Sequence, residues 1–450
     1  MALVIGSMIG AGIFIVPADM VRTLNAPGLV LLAWVIGGAV TLAGALTFAE
    51  LGAMFPRAGG LYVYLREGIS PLFGFLYGWT LFTVIWSGGT AAASVGFSRY
   101  AGLLVPAFTP DVFLGGDVMF AGAPVTIGVS LQRLLAIGAV VLLTWINIRG
   151  VTAASVVQNV FTVAKCAAIL AIAVLGLTIG RNAAAIAENF GTRFWPAGGL
   201  TLAMLPVLGA ALASPIFALD GWYSAAFAAG EMKDPKRDLP FALTAGVLIT
   251  ATLFVLANLG YFSVLPADEI AHATQDRVAS AAMQAMFGTP GLYAMAVIVT
   301  VSVFGLNNGL ILSGGRIYYA MARDGVFLKA AGTLHPRYRT PVVALVLQAC
   351  WISVLCLSGT YNQLVDYVTF ASVLFWALTG IGLFSLRVRR PDAERPVRAW
   401  GYPWLPAVFV IASLAIAINL LVQRPQTALI GLAIVALGVP VYYWQRRTAA

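Results

Sequence analysis

This sequence predicts an all-α polytopic membrane protein: twelve transmembrane helices, a five-plus-five inverted repeat, and discontinuous helices 1 and 6. Three observations carry the expectation. Of 450 residues, 60% are hydrophobic and only 10% charged, against about a quarter charged in soluble domains. The apolar residues fall into twelve runs, each near the roughly 20 residues a helix needs to cross a bilayer. Two of these runs, five apart in order, are interrupted at mid-length by Gly, Pro and small polar residues.

The runs cover 2–24, 28–54, 70–104, 132–149, 153–180, 202–230, 239–265, 290–320, 341–358, 361–386, 402–422 and 427–445. With the N-terminus in the cytoplasm, 18 of the 26 basic residues fall inside and 7 outside, leaving Lys165 within the fifth run. Such an excess is what the positive-inside rule expects. The net charge of +9 therefore sets topology, with both termini cytoplasmic, and is no nucleic-acid footprint. The expected place is a plasma membrane, the inner membrane of a bacterium, with the lipid bilayer as the chief partner.

The chain reads as one transmembrane domain over 1–450: repeat one at 1–180, repeat two at 201–386, and two additional helices in 387–450. The longest polar connections, 181–200, 266–289, 323–340 and 387–400, are too short for a soluble domain. Only five residues precede Gly6, so the first half-helix reads as truncated. Two histidines and three cysteines are too few for a metal cluster or a disulfide framework. Cys166, Cys350 and Cys356 lie in apolar runs, where a thiol acts as a small hydrophobe. With no GxxxxGK[ST] phosphate loop and no Ser/His/Asp set, neither ATP-driven work nor enzyme chemistry is expected, and no cofactor or metal.

The first interruption is "GSMIGAG" at 6–12 and the second "SPIFALDGWYS" at 214–224. Gly costs a helix interior roughly 1 kcal/mol against Ala, and Pro about 3. Unwinding at mid-membrane depth frees backbone groups, which is tolerable only where they line a cavity or meet a ligand. Paired interruptions in two halves point to a transporter's binding site. An odd number of spans per repeat inverts the second copy. At 6–12, unpaired N–H groups backed by a helix dipole suit a carboxylate. Gly10, Ala11 and Gly12 let it approach the backbone closely, with Ser7 and Met8 on the other side. Gly6-x-x-x-Gly10 also fits a small-residue packing motif, but the matching interruption favours unwinding.

In the sixth run, Asp220 is an intramembrane carboxylate that costs about 2.5–3.5 kcal/mol on insertion scales and so faces a cavity or a partner. Beside free carbonyls of Phe217 and Ala218 it would suit an ammonium group, with Phe217 and Trp222 closing over a side chain. Asp220 also fits a helix cap. Lys165 lies too deep for its stem to snorkel easily. It is expected to pair with carbonyls of the broken first helix and hydroxyls of span eight, in a place where a sodium-coupled transporter would hold its ion. Glu50 is expected to meet a loop arginine. The charged run 231–240 reads as salt links and a gate at the inner end of span six, and "RIYYAMARDG" as the inner end of span eight with a turn at Asp324-Gly325.

At these residues the chain resembles the amino acid–polyamine–organocation superfamily, and within it the L-type amino acid transporters and their bacterial relatives. Four stretches carry the likeness: "IGSMIGAGIF", "FALDGWYSAAFAAGEMKDPKRDLP", "GGRIYYAMARDG…HPRYRTP" and "RVRRPDAERPVRAWGYPWLP". The resemblance covers essentially the whole chain. It implies a sodium-independent exchanger of small-molecule amino acids. It places the carboxylate-binding segment on Met8, Ala11 and Gly12, and the aromatic gate on Phe217. Amino-group contacts fall on Phe217 and Asp220, and the span-five lysine on Lys165. Relatives often have Ser or Thr where Ala11 stands, so backbone amides must suffice here. Animal relatives join a heavy glycoprotein through a cysteine between spans three and four. Residues 99–131 contain no cysteine, so no covalent heavy-chain subunit is expected. The expected function is exchange of neutral L-amino acids by rocking around the two interruptions. The alternatives are a proton-coupled amino-acid symporter, or a carrier of cationic amino acids or polyamines drawn by Asp220.

Overall fold

The computed structural model describes residues 1–56, 59–120, 123–150, 154–227, 229, 232–357 and 361–449. Helices dominate it. Helices α1 (Ala2–Met8) and α2 (Gly12–Leu24) form a broken pair, followed by α3 (Pro27–Met54) and a short α4 (Leu61–Gly68). Helices α5 (Pro71–Thr80) and α6 (Trp86–Leu104) are joined by one π-helical turn over Leu81–Ile85. Strands β1 (Leu114–Phe120) and β2 (Ala123–Val129) precede α7 (Leu131–Arg149), α8 (Ala154–Leu177) and α9 (Ala183–Ala187). The sixth apolar run gives α10 (Leu205–Ala211), α11 (Ala213–Ala218) and α12 (Ser224–Phe227). Then come α13 (Pro235–Val264), α14 (Ala267–Ala271), α15 (Val278–Arg323), α16 (Val342–Leu357), α17 (Tyr361–Arg389), α18 (Trp404–Gln423) and α19 (Pro425–Ala449).

The start signals are local. Pro27, Pro71 and Pro235 stand in the first turns of α3, α5 and α13, where a missing N–H costs nothing and φ is already helical. The Ser130 side chain caps α7 by accepting the Arg133 N–H at 3.1 Å. Asn25 ends α2 in the left-handed region at φ 48°, a conformation its short polar side chain tolerates.

Among the described residues, eight helices are long and apolar enough to cross a membrane, and the bent pair α1–α2 makes a ninth. Three shorter apolar helices, Phe161–Leu177, Leu202–Ala218 and Val342–Leu357, stand over the fifth, sixth and ninth apolar runs. The α5–α6 helix is the most enclosed and α19 the least, so the third run forms the centre of the bundle. The all-α expectation needs one correction. Residues 114–120 pair antiparallel with 123–129, Gly116 opposite Ile127. In β2, Val125, Ile127 and Val129 alternate with Thr126 and Gly128, a strand pattern. The eighth run also begins earlier than its hydropathy indicates: α15 starts at Val278 and kinks at Gly288, φ 65°.

Glu50, near the end of α3, is fully buried and gathers three donors from the far end of the chain. Arg387 reaches it at 2.5 Å, Arg395 at 3.1 Å and the Ala399 N–H at 2.8 Å. The expected arginine is thus two, and they tie α3 to the last turn of α17 and to the segment that follows it. Breaking a buried pair by removing one partner costs about 3–5 kcal/mol. Glu50→Ala is therefore expected to lower the thermal unfolding temperature by several degrees, and an unchanged melting curve would show that the cluster is not structural. Elsewhere in the charged run 231–240, Lys236 meets Glu394 at 2.8 Å; Glu231 lies outside the described residues.

Candidate functional site

Helix α1 stops at Met8 because Ile9 adopts an extended conformation, φ −78° and ψ 95°. Helix α2 restarts at Gly12, bent by 43° from α1. The interruption is therefore 9–11, shorter than the 6–12 stretch that the glycines mark. Two carbonyls released from the helical ladder, those of Gly6 and Ile9, accept from the Lys165 Nζ at 3.3 and 3.0 Å. Lys165 is only 2% exposed. One turn earlier on α8, the Thr162 hydroxyl donates to the Ala2 carbonyl at 3.3 Å. Helix α8 thus braces the broken segment from behind. The expected span-eight hydroxyl is not among the partners of Lys165; Ser302 on α15 is buried with its hydroxyl unbonded. On the other side of the interruption, the N–H groups of Gly10 and Ala11 meet no acceptor among the described residues. The first turn of α2 adds its own free N–H groups and dipole.

The second interruption spans 219–223, between α11 and α12. Gly221 sits at φ 85°, a region open to glycine at little cost. Asp220 Oδ1 accepts the Gly221 N–H at 2.7 Å, and Oδ2 accepts the Ser372 hydroxyl of α17 at 3.0 Å. The carboxylate therefore braces the turn itself and ties it to α17. It does not cap α12, which starts three residues beyond Gly221. The Tyr223 hydroxyl also bonds the carboxylate, and all three donors are neutral, so no cation partner meets it among the described residues.

The two interruptions touch. A Cβ placed on Gly12 would fall 2.9 Å from Ala218 Cβ and 3.0 Å from Ala218 Cα. One placed on Gly221 would fall 2.9 Å from the Ser7 carbonyl oxygen. The Ser224 hydroxyl donates to Ser7 Oγ at 2.9 Å, and Ser7 donates onward to the Leu3 carbonyl at 2.7 Å. Between the interruptions lies a cavity of about 60 Å³. Ser7, Met8, Gly10, Ala11 and Gly12 line one side; Phe217, Ala218, Asp220 and Gly221 line the other.

Of the residues singled out in the sequence, all but two line this cavity. Lys165 stands behind the first interruption, as described. Trp222 is the correction: its ring is fully buried among Phe48 and Trp376, with ring centroids 4.9 and 5.6 Å away. The left-handed turn at Gly221 carries the chain away from the cavity before Trp222 is reached. The remaining walls come from segments whose facing the sequence leaves open. Ile85, Trp86, Gly89 and Ala93 line it from the central helix, Leu306 and Leu310 from α15, and Tyr361 and Val368 from α17. The spacing of Ile85, Gly89 and Ala93, one turn apart each, is the trace of that face in the sequence.

One end of the cavity is closed in layers. Phe217 meets Tyr361 edge-on at 6.1 Å between centroids, and the Arg99 guanidinium lies 5.2 Å from the Tyr361 ring centre. Arg99 in turn pairs with Asp276 at 3.4 Å, which also holds Arg22 at 2.7 Å. Toward the other end, Trp86 donates to the Leu310 carbonyl at 2.7 Å and meets Phe227 edge-on at 5.4 Å.

An enclosed, mostly apolar cavity with free N–H groups on one wall and a carboxylate on the opposite one can hold a small zwitterion at both ends. Known proteins share the chain from end to end. A serine/threonine exchanger of Bacillus subtilis, SteT, is 30% identical over the whole of this chain and 96% of its own length. The human large neutral amino acids transporter small subunit 2 is 31% identical over 99% of this chain and 79% of its own length. The human Asc-type amino acid transporter 1 is 29% identical over 98% and 80%. The family profile described as amino acid permease matches residues 1–440, and the chain belongs to that family.

Proposed function

We propose that this protein exchanges small neutral L-amino acids across a membrane by alternating access, without sodium. Its working form would have twelve spans, two inverted five-helix repeats and cytoplasmic termini. The observation that carries the reading is the pairing of free N–H groups at 10–12 with the Asp220 carboxylate across one cavity. The substrate carboxylate would meet the amides of Gly10, Ala11 and Gly12, its ammonium would meet Asp220, and Phe217 would close over its side chain. Lys165 supports sodium independence: a fixed ammonium already satisfies the Gly6 and Ile9 carbonyls, the kind of backbone oxygens a sodium ion takes in other discontinuous helices. Size supports small substrates. The cavity offers about 60 Å³, room for only a few water-sized groups. That approaches alanine, serine or threonine and is far from an extended polyamine. The serine/threonine exchanger among the relatives agrees. Without a cysteine in 99–131, no disulfide-linked subunit is needed.

In proteoliposomes, labelled serine or alanine is expected to enter only when unlabelled amino acid is inside, and equally well in choline and in sodium. Uptake into empty vesicles driven by a proton gradient would replace exchange with symport. That second reading has its own support: Lys165 and Asp220 are both bonded by neutral groups alone, so either could carry a proton.

A further inference from the structure

The motifs "GGRIYYAMARDG" and "HPRYRTP" take no part in the site above, yet the fold brings them together. Arg316 and Tyr319 of α15, the 337–341 stretch before α16, and Arg149 at the end of α7 line one pocket of about 430 Å³. Its floor is a side-chain bridge, Asn147 Nδ2 donating to Asn308 Oδ1 at 2.8 Å. Its wall is pinned where the Thr340 hydroxyl donates to the Ile148 carbonyl at 2.7 Å. This pocket is much roomier than the central cavity and carries the opposite charge.

Arg149, Arg337 and Arg339 have no carboxylate partner among the described residues; Arg149 and Arg337 make only ring contacts, over Trp145 at 4.0 Å and Tyr338 at 5.6 Å. The described residues lining the pocket include no Asp or Glu. Several basic side chains elsewhere do reach a carboxylate of the chain: Arg66 reaches Asp324, Arg390 reaches Glu67, Arg395 reaches Glu50 and Lys236 reaches Glu394. Three guanidiniums around one depression thus call for a negative charge from outside the chain.

The surroundings indicate which. Helix α7 presents exposed Leu134, Val141, Leu142 and Trp145, ending one turn short of Arg149, and its neighbour α16 presents exposed Val346 and Val354. Those apolar ridges run into the arginines from the side where a bilayer's acyl chains would lie. We propose that this pocket binds the phosphate of an anionic glycerophospholipid, its tails on the α7 and α16 ridges. Arginine suits that role because its planar fork meets phosphate oxygens in pairs, and basic pockets between membrane helices hold such headgroups.

The test is titration of the delipidated full chain with phosphatidylglycerol, phosphatidylcholine and glycerol phosphate, read by native mass spectrometry. Phosphatidylglycerol is expected to bind far more tightly than phosphatidylcholine, and the R149Q/R337Q/R339Q variant to lose about a hundredfold, near fivefold per guanidinium. Single Arg337→Gln, at an exposed position, is expected to lose about fivefold and serves if the triple variant does not fold. Arg323→Gln with Lys329→Gln, exposed cations outside the pocket, is expected to bind like the unaltered chain. Equal binding of the two lipids, or retention by the pocket variants, overturns the proposal. So does a loss as large in the control variant, which would mean diffuse surface charge. Binding of glycerol phosphate as tight as the lipid overturns the lipid source and leaves a soluble phosphate ligand.

Discussion

Lys165→Ala is expected to reduce amino-acid exchange at least about 100-fold while the protein still inserts in the membrane. The ammonium satisfies two carbonyls, Gly6 and Ile9, at 3.3 and 3.0 Å in an apolar interior. Without it each loses a partner, at about 1–3 kcal/mol apiece, and 6–11 lowers its energy by closing toward a continuous helix. Closing the helix would take the Gly10 and Ala11 N–H groups out of the cavity. Lys165→Met keeps the stem and removes only the charge and donors, so it is expected to lose exchange almost as fully while regaining packing. Counterflow of labelled serine into loaded vesicles, with surface labelling to confirm insertion, reads both. Ordinary counterflow by the methionine variant would strip Lys165 of its role.

The second large effect belongs to Gly12. A valine there meets backbone, since Ala218 Cα lies 3.0 Å from the new Cβ, and backbone cannot rotate aside as a side chain can. Gly12→Val is expected to wedge the two interruptions apart, weakening amino-acid binding by about 100-fold or more, whereas Gly12→Ala, with one methyl to absorb, is expected to lose about tenfold. These estimates take about 1–3 kcal/mol for overpacking a tight contact. Isothermal titration or thermal shift with serine measures the series. Equal affinity across the three would mean that substrate does not bind between residues 12 and 218.

Much of this was legible in the sequence, for reasons that differ from residue to residue. The interruptions could be found because Gly10, Gly12, Pro215 and Gly221 sit in runs otherwise suited to a helix, where each is costly. Lys165 and Asp220 stood out because charge is expensive in a membrane. Boundaries were less legible. Gly6 proved helical, and the first interruption fell at 9–11, since a glycine permits unwinding but does not oblige it. The cavity's other walls had no such signal. The helix over 71–104 is enclosed on nearly all sides, so the one-turn spacing of Ile85, Gly89 and Ala93 does not by itself separate a cavity face from a packing face. The π turn at Leu81–Ile85 also shifts their facing by a residue relative to the turns before it. Trp222 misled because the sequence places it two residues beyond Asp220 without showing which way the interrupted backbone turns, and Gly221 at φ 85° turns it away from the cavity. The strands at 114–120 and 123–129 lie in a connection read only for its lack of cysteine.

The contacts between Gly12 and Ala218, and between Ser7 and Gly221, make the two interruptions a single joint. A swivel of one would drag the other, because Gly12 faces the Cβ and Cα of Ala218 and Gly221 faces the Ser7 carbonyl, with no room for even a methyl between them. If the protein works by the proposed alternating access, opening one mouth of the cavity and shutting the opposite mouth would be two views of one movement, and a passage open at both ends at once would have no hinge to form on.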